Sequence, residues 1–140
     1  MWWLLAAAVV VLAGWGVALR RRLLVVTVRG VSMEPTYVSG DRLLVRRSRL
    51  ARVRAGQIVV VRVAAAPGDP TEGRMVKRAV AVPGDPVPPR IPVPDPVVPA
   101  GKLLVLGDNP RRSKDSRRLG YIPEDALIGV VLRPMAGSER

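Results

Sequence analysis

The first nineteen residues, "MWWLLAAAVVVLAGWGVAL", carry no charge, and three arginines, Arg20, Arg21 and Arg22, follow at once. At about 1.5 Å per helical residue, such a run is close to the length that crosses a hydrocarbon core of about 30 Å. Trp2 and Trp3 at one end and the arginines at the other suit the two interfaces of a bilayer. In a chain of 140 residues this leaves room for one compact domain. The expected organisation is a transmembrane anchor over residues 1–22 and a single domain over 23–140. A cleavable signal sequence would want a charged leader and a small-residue cut site, and a buried core helix suits so small a domain poorly. Read alone, the arginine triplet would keep the domain in the cytoplasm by the positive-inside rule. That rule weakens for long translocated segments.

The chain contains neither cysteine nor histidine. Disulfides, thiolate and imidazole metal sites and a serine–histidine–carboxylate arrangement are thereby excluded, and no metal or other cofactor is expected. Acid–base chemistry must come from Lys, Asp, Glu, Tyr or a hydroxyl. The net charge of +12 calls for an anionic partner. A single-stranded nucleic acid would want aromatic stacking platforms, but phenylalanine is absent and the only tyrosines are Tyr37 and Tyr121, so anionic membrane lipids are the expected partner and nucleic acid is not. Of the 23 basic residues only Lys77, Lys102 and Lys114 are lysines, which makes each worth inspecting. Oligomeric state is not legible.

Beyond the anchor, valine-rich runs alternate with Gly, Pro and Asp punctuation. The predicted strands are Leu23–Arg29, Asp41–Arg47, Gln57–Ala64, Arg74–Val82, Lys102–Leu106 and Leu127–Arg133. Turns are expected at Ser39–Asp41, Ala55–Gln57, Pro67–Pro70, Pro83–Pro86 and Leu106–Pro110. The fold class is mainly β, a small antiparallel domain. Residues 83–100, "PGDPVPPRIPVPDPVVPA", hold too many prolines for a central strand and read as an extended surface connection, partly polyproline-like.

Ser32 stands in "VRGVSMEPTYVSGDRLLVRR", between two apolar runs. A serine hydroxyl needs a base with a pKa near neutrality, and without histidine the strongest candidate is an amine stripped of water. In "RMVKRAVAV" side chains alternate across a strand, which puts Lys77 on one face with Met75, Ala79 and Ala81, and Arg78 on the other with Val76 and Val80. An amine among such neighbours is a candidate for desolvation. Taken singly, Lys77 reads as a surface charge and Ser32 as a turn residue. Lys102 and Lys114 sit beside turns and have weaker claims.

Together, "GVSMEPT" (Gly30–Thr36), "SGDRLLVRR" (Ser39–Arg47), "MVKRAVAVPGD" (Met75–Asp85) and "GDNPRRSKDSRRLG" (Gly107–Gly120) resemble, in order and character, the sequence boxes of the bacterial type I signal peptidases. The resemblance implies a signal peptidase catalytic fold and a serine endopeptidase that frees exported precursors of their signal peptides. It implies a site on the outer side of the bacterial cytoplasmic membrane, with small residues preferred at the first and third positions before the cut. Ser32 matches the family nucleophile and Lys77 its general base. Ser113 matches a hydroxyl that bonds and orients the lysine amine. Asp115 and Arg117 match a bracing ion pair, and Gly107, Asp108 and Asn109 the turn entering that box. Met33 matches a residue of the substrate pocket. The substrate is expected to add as a strand near Val28–Val31 and the strand of Met75 and Lys77. Where many family members carry a serine, this chain has Gly30, which leaves the Ser32 N–H as the named oxyanion donor. The larger β insertion of longer members is missing, and the proline-rich stretch stands in its place. The self-cleaving repressors share a serine–lysine pair but begin with a DNA-binding domain. Two alternatives remain: a maturation peptidase dedicated to one partner precursor, and a non-enzymatic, membrane-anchored basic β module.

Overall fold

The computed structural model describes residues 1–69 and 71–136. Pro70, the end of one expected turn, and the last four residues of the expected domain lie outside the described residues. One helix, α1 (Trp2–Arg22), runs through the arginine triplet and passes without a loop into the first strand. Its apolar side chains are exposed and an 18-residue stretch of it has a mean hydropathy of 2.1, so it is long and apolar enough to cross a membrane.

The rest is one antiparallel sheet. Its strands are β1 (Leu23–Thr27), β2 (Arg42–Arg47), β3 (Ile58–Arg62), β4 (Arg74–Ala81), β5 (Lys102–Leu106), β6 (Ile122–Pro123) and β7 (Leu127–Pro134). They lie in the order β1-β2-β7-β3-β4-β5-β6, and a short helix, α2 (Ser116–Leu119), precedes β6. The six predicted strands are all present: β1 to β4 are trimmed at their ends, β5 has the predicted bounds, β7 runs one residue further, and β6 is an addition.

The centre of the sheet explains its composition. Val59, Val60 and Val61 of β3 are all fully buried because both faces of this strand are covered. Val59 and Val61 join a cluster with Ala79, Leu103, Val105 and Val130, while Val60 joins Met33, Leu43, Val45 and Val76 on the other side. A continuous apolar run replaces the alternation expected of a half-buried strand. Gly129 sits where a Cβ would strike the Arg46 carbonyl, so β7 must carry glycine to pack there.

The proline-rich stretch lies at the surface, most of its residues exposed, but it does not run as an extended connection. It folds back on itself: Val87 N–H donates to Pro96 O, Val98 N–H to Asp85 O and Gly84 N–H to Val98 O. Ile91 and Val98 are buried against Ala81 and Leu104, and the Tyr121 hydroxyl donates to Asp95 at 2.8 Å. Proline removes donors only where it stands. The interleaved valines and isoleucine keep theirs, and their apolar side chains supply a third cluster of the core.

Candidate active site

Lys77 is on β4, opposite Val59 of β3, and is only 3% exposed. Burial pushes its amine below the ordinary lysine value; the Asp115 carboxylate pulls it back up and the Arg117 guanidinium pushes it down again. Its Nζ lies 2.7 Å from the Ser32 Oγ. As an ammonium it donates to that oxygen. Once neutral, the same distance lets the hydroxyl donate to the amine lone pair.

Ser32 is held by its backbone. The Asn109 N–H donates to Ser32 O at 2.9 Å, and the Asn109 side-chain amide donates to Val31 O at 3.0 Å. One residue thus grips the carbonyls of both Val31 and Ser32. Gly107 lies so close that a Cβ there would collide with the Ser113 side chain and with Ser32 O. Only glycine fits at this crossing, which fastens the segment Gly107–Asn109 under the serine. Among the described residues the Ser32 N–H donates to no protein acceptor, so it is free to meet an incoming oxygen. Gly30 has φ +81°, a conformation that disfavours a side chain, and its N–H donates to the Ser39 hydroxyl at 3.3 Å.

Asp115 is fully buried and braces the opposite wall. It accepts from the Gly107 N–H at 2.9 Å and from Arg117 Nε and Nη2 at 2.9 and 2.7 Å. Burial alone would raise its carboxyl, but the Arg117 guanidinium and the Gly107 amide outweigh that and hold it well below the usual carboxylate range. The neighbouring Ser116 hydroxyl accepts from the Val105 N–H and ties α2 to β5. The Ser113 hydroxyl is buried beside the Gly107 crossing and near enough to the Asp115 carboxylate to help hold that group down, while among the described residues it makes no hydrogen bond of full geometry, to the lysine amine or to any other group.

Arg78 forms a contact that sequence reasoning missed. Its guanidinium clasps both oxygens of Asp108, at 2.9 and 2.8 Å, and donates to Gly56 O. The Thr36 hydroxyl donates to the same Asp108 carboxylate. The serine loop, β4 and the turn after β5 are thereby joined at one carboxylate, which Arg78 and Thr36 hold below its ordinary pKa against the effect of burial. The threonine of "MEPT" and the arginine of "KRAV" were both visible in the sequence; their meeting 42 residues apart was not.

Beside these groups runs a groove of about 670 Å³, walled by Val25–Met33 on one side and Arg74–Lys77 with the β3–β4 hairpin on the other. Met33 is 1% exposed and belongs mainly to the core, touching the groove from its floor, whereas Met75 is half-buried. β1 is the first strand of the sheet and has one unpaired edge. β5 pairs with β4 only from Arg78 onward, which leaves the β4 segment Arg74–Lys77 open on that side. The groove therefore lies between two stretches of strand that each lack a neighbour. Among the described residues no cluster of Asp and Glu suits a metal ion.

Comparison with known proteins agrees with these features. The family model described as "Signal peptidase, peptidase S26" matches residues 1–90 and 92–136. Signal peptidase IB of Staphylococcus aureus is 31% identical over 140 aligned residues, covering 75% of this chain and 73% of that protein. Probable signal peptidase I-1 of Synechocystis sp. is 31% identical over 127 aligned residues, covering 72% of this chain and 65% of that protein. With the family model spanning nearly the whole chain, and an antiparallel sheet behind an apolar N-terminal helix, the protein belongs to the signal peptidase family, peptidase S26.

Proposed function

We propose that this protein is a membrane-anchored endopeptidase that removes signal peptides from exported precursors, with Ser32 as nucleophile and Lys77 as general base. The catalytic domain sits on the outer side of the bacterial cytoplasmic membrane, carried by α1. The observation that carries this reading is the 2.7 Å approach of Lys77 Nζ to Ser32 Oγ in a place almost closed to water, at the wall of a groove between two open strand edges. An exposed ammonium would remain protonated at neutral pH and serve no base function. A dry one with no carboxylate within bonding distance gives up its proton more easily.

In the proposed reaction an extended peptide enters the groove and pairs its main chain with the open edges of β1 and β4. Neutral Lys77 takes the hydroxyl proton as Ser32 Oγ attacks the scissile carbonyl carbon. The oxyanion meets the Ser32 N–H. Lys77 returns the proton to the leaving amine, the C–N bond breaks, and the acyl group stays on Ser32 as an ester. Lys77 then deprotonates a water that attacks the ester and regenerates the hydroxyl. The buried Ser113 hydroxyl steadies the amine while Ser32 is acylated. Asp115, Arg117, Asp108 and Asn109 keep the two reacting groups in register without touching the substrate. Signal peptides stay in the bilayer after translocation, so an anchored enzyme meets them at high effective concentration.

A precursor-cleavage assay in detergent or lipid, comparing wild type with Ser32→Ala and Lys77→Arg, tests the assignment. Both variants are expected to lose turnover while retaining the fold, the second because arginine stays protonated. Cleavage at the wild-type rate by either folded variant would sink it.

A further inference from the structure

Antiparallel alternation brings one set of strand ends together where α1 passes into the sheet. β2 and β3 finish there, at Arg47 and Arg62, while β1, β4 and β7 begin there. Between them opens a second cavity, of about 320 Å³, lined by Leu24, Arg47, Arg62, Glu72, Arg74 and Ile128. Three guanidiniums face one carboxylate. Glu72 accepts from Arg74 at 2.8 Å, and among the described residues neither Arg47 nor Arg62 has a carboxylate partner. Leu24 and Ile128 are half-buried and give the same cavity an apolar side. Arg20, Arg21 and Arg22 immediately precede β1.

We propose that this cavity binds the phosphate of an anionic phospholipid headgroup, with Arg47 and Arg62 donating to its oxygens. Paired guanidinium forks match the geometry of phosphate oxygens. The apolar lining gives the glycerol end of a lipid a surface that a free phosphate ion would not use. The position suits headgroups rather than solutes, because the cavity opens two residues past the end of a helix long enough to span the bilayer. Arg74 lines both this cavity and the substrate groove, so a seated lipid fixes the start of β4 at the mouth of the groove. The inference rests on the reading of α1 as a membrane anchor.

The test uses the full chain in neutral detergent, titrated with phosphatidylglycerol or phosphatidylcholine and read by native mass spectrometry. Arg47→Gln/Arg62→Gln is compared with Arg54→Gln/Arg90→Gln, which removes the same charge from residues outside the cavity. Wild type and the control pair are expected to retain phosphatidylglycerol in preference to phosphatidylcholine, and the cavity pair to bind it roughly tenfold more weakly. Circular dichroism melting checks that all three fold alike. Equal weakening in both pairs, no preference between the lipids, or inorganic phosphate that binds as tightly as the lipid would each overturn the proposal. Alkaline washing of membranes separates it from its premise. Release of the wild-type chain from the pellet removes the anchor and the lipid site together, whereas retention without lipid preference removes the lipid site alone.

Discussion

Lys77 and Arg78 are neighbours on one strand, both cationic, and they meet opposite fates. Arg78 reaches a carboxylate that grips it with two hydrogen bonds, and Asp108 in return keeps its own negative charge. Lys77 is buried with only a hydroxyl to bond. The carboxylate nearest in influence, Asp115, is already clasped by Arg117, whose positive charge opposes the attraction. A fully matched ion pair fastens three segments together. A cation denied its match has a depressed pKa and becomes chemically useful. The fold needs both, because the tight pair on one face of β4 keeps the serine loop beside the lonely amine on the other.

Breaking the unmatched side is expected to have the largest effect. Ser32→Ala or Lys77→Arg should lower kcat for precursor cleavage by at least about 10⁴-fold while leaving the circular dichroism spectrum unchanged. Next comes the brace. Asp115→Ala leaves the Arg117 guanidinium and the Gly107 amide without their shared acceptor, and should cost about 3–5 kcal/mol in urea unfolding. The same carboxylate sets the acid limit of the fold. Its folded pKa lies well below the ordinary 3.8, so the unfolded chain takes up a proton that the folded one does not. The stability it contributes is present above pH 3.8 and drains away as pH falls through the folded value, a slope that Asp115→Asn should remove from an acid titration.

Breaking the matched side sharpens the contrast at smaller scale. Asp108→Asn keeps the shape but loses the charge that holds Arg78 and Thr36. With Arg78 about one-third exposed, the expected loss is about 1–2 kcal/mol, together with a fall in kcat as the serine loop loosens. The pH–rate profile probes the unmatched amine directly. Because the folded Lys77 pKa lies below its ordinary 10.5, the unprotonated base fills, and kcat/KM should climb, at lower pH than a free lysine would allow. An acid limb centred near 10.5 would contradict that. The same shift makes the folded chain gain stability as pH rises from the lowered value toward 10.5, since the unfolded state holds the extra proton there. The smallest effect is expected at exposed arginines such as Arg90, where Arg90→Gln should move stability by less than about 0.5 kcal/mol.

Sequence made the strands legible because valine runs bounded by Gly, Pro and Asp carry both the period and the stop signals. It made Ser32 and Lys77 legible because alternation in "RMVKRAVAV" placed the amine among small apolar neighbours, and because the ordered boxes resemble a known family. β6 was missed: two residues, Ile122 and Pro123, are too few to show a period. The proline-rich stretch was legible as a surface segment without a central strand, but its folded course was not. Composition reports where donors are lacking, but not that Ile91 and Val98 would find Leu104 and Ala81 to pack against. Arg78 with Asp108, and Gly107 beneath Ser32, are meetings between distant segments, which local patterns do not encode.

The join between α1 and β1 has no slack, since Leu23 follows Arg22 directly. Ser32 lies ten positions beyond Arg22, so even a taut chain holds the serine within roughly 35 Å of the last helical residue. With α1 in a bilayer, as proposed, the cutting edge would sweep only a thin slab of water above the headgroups. Height becomes a filter that acts before any side chain is read: loose polypeptide far from the surface passes untouched, however well its sequence would fit.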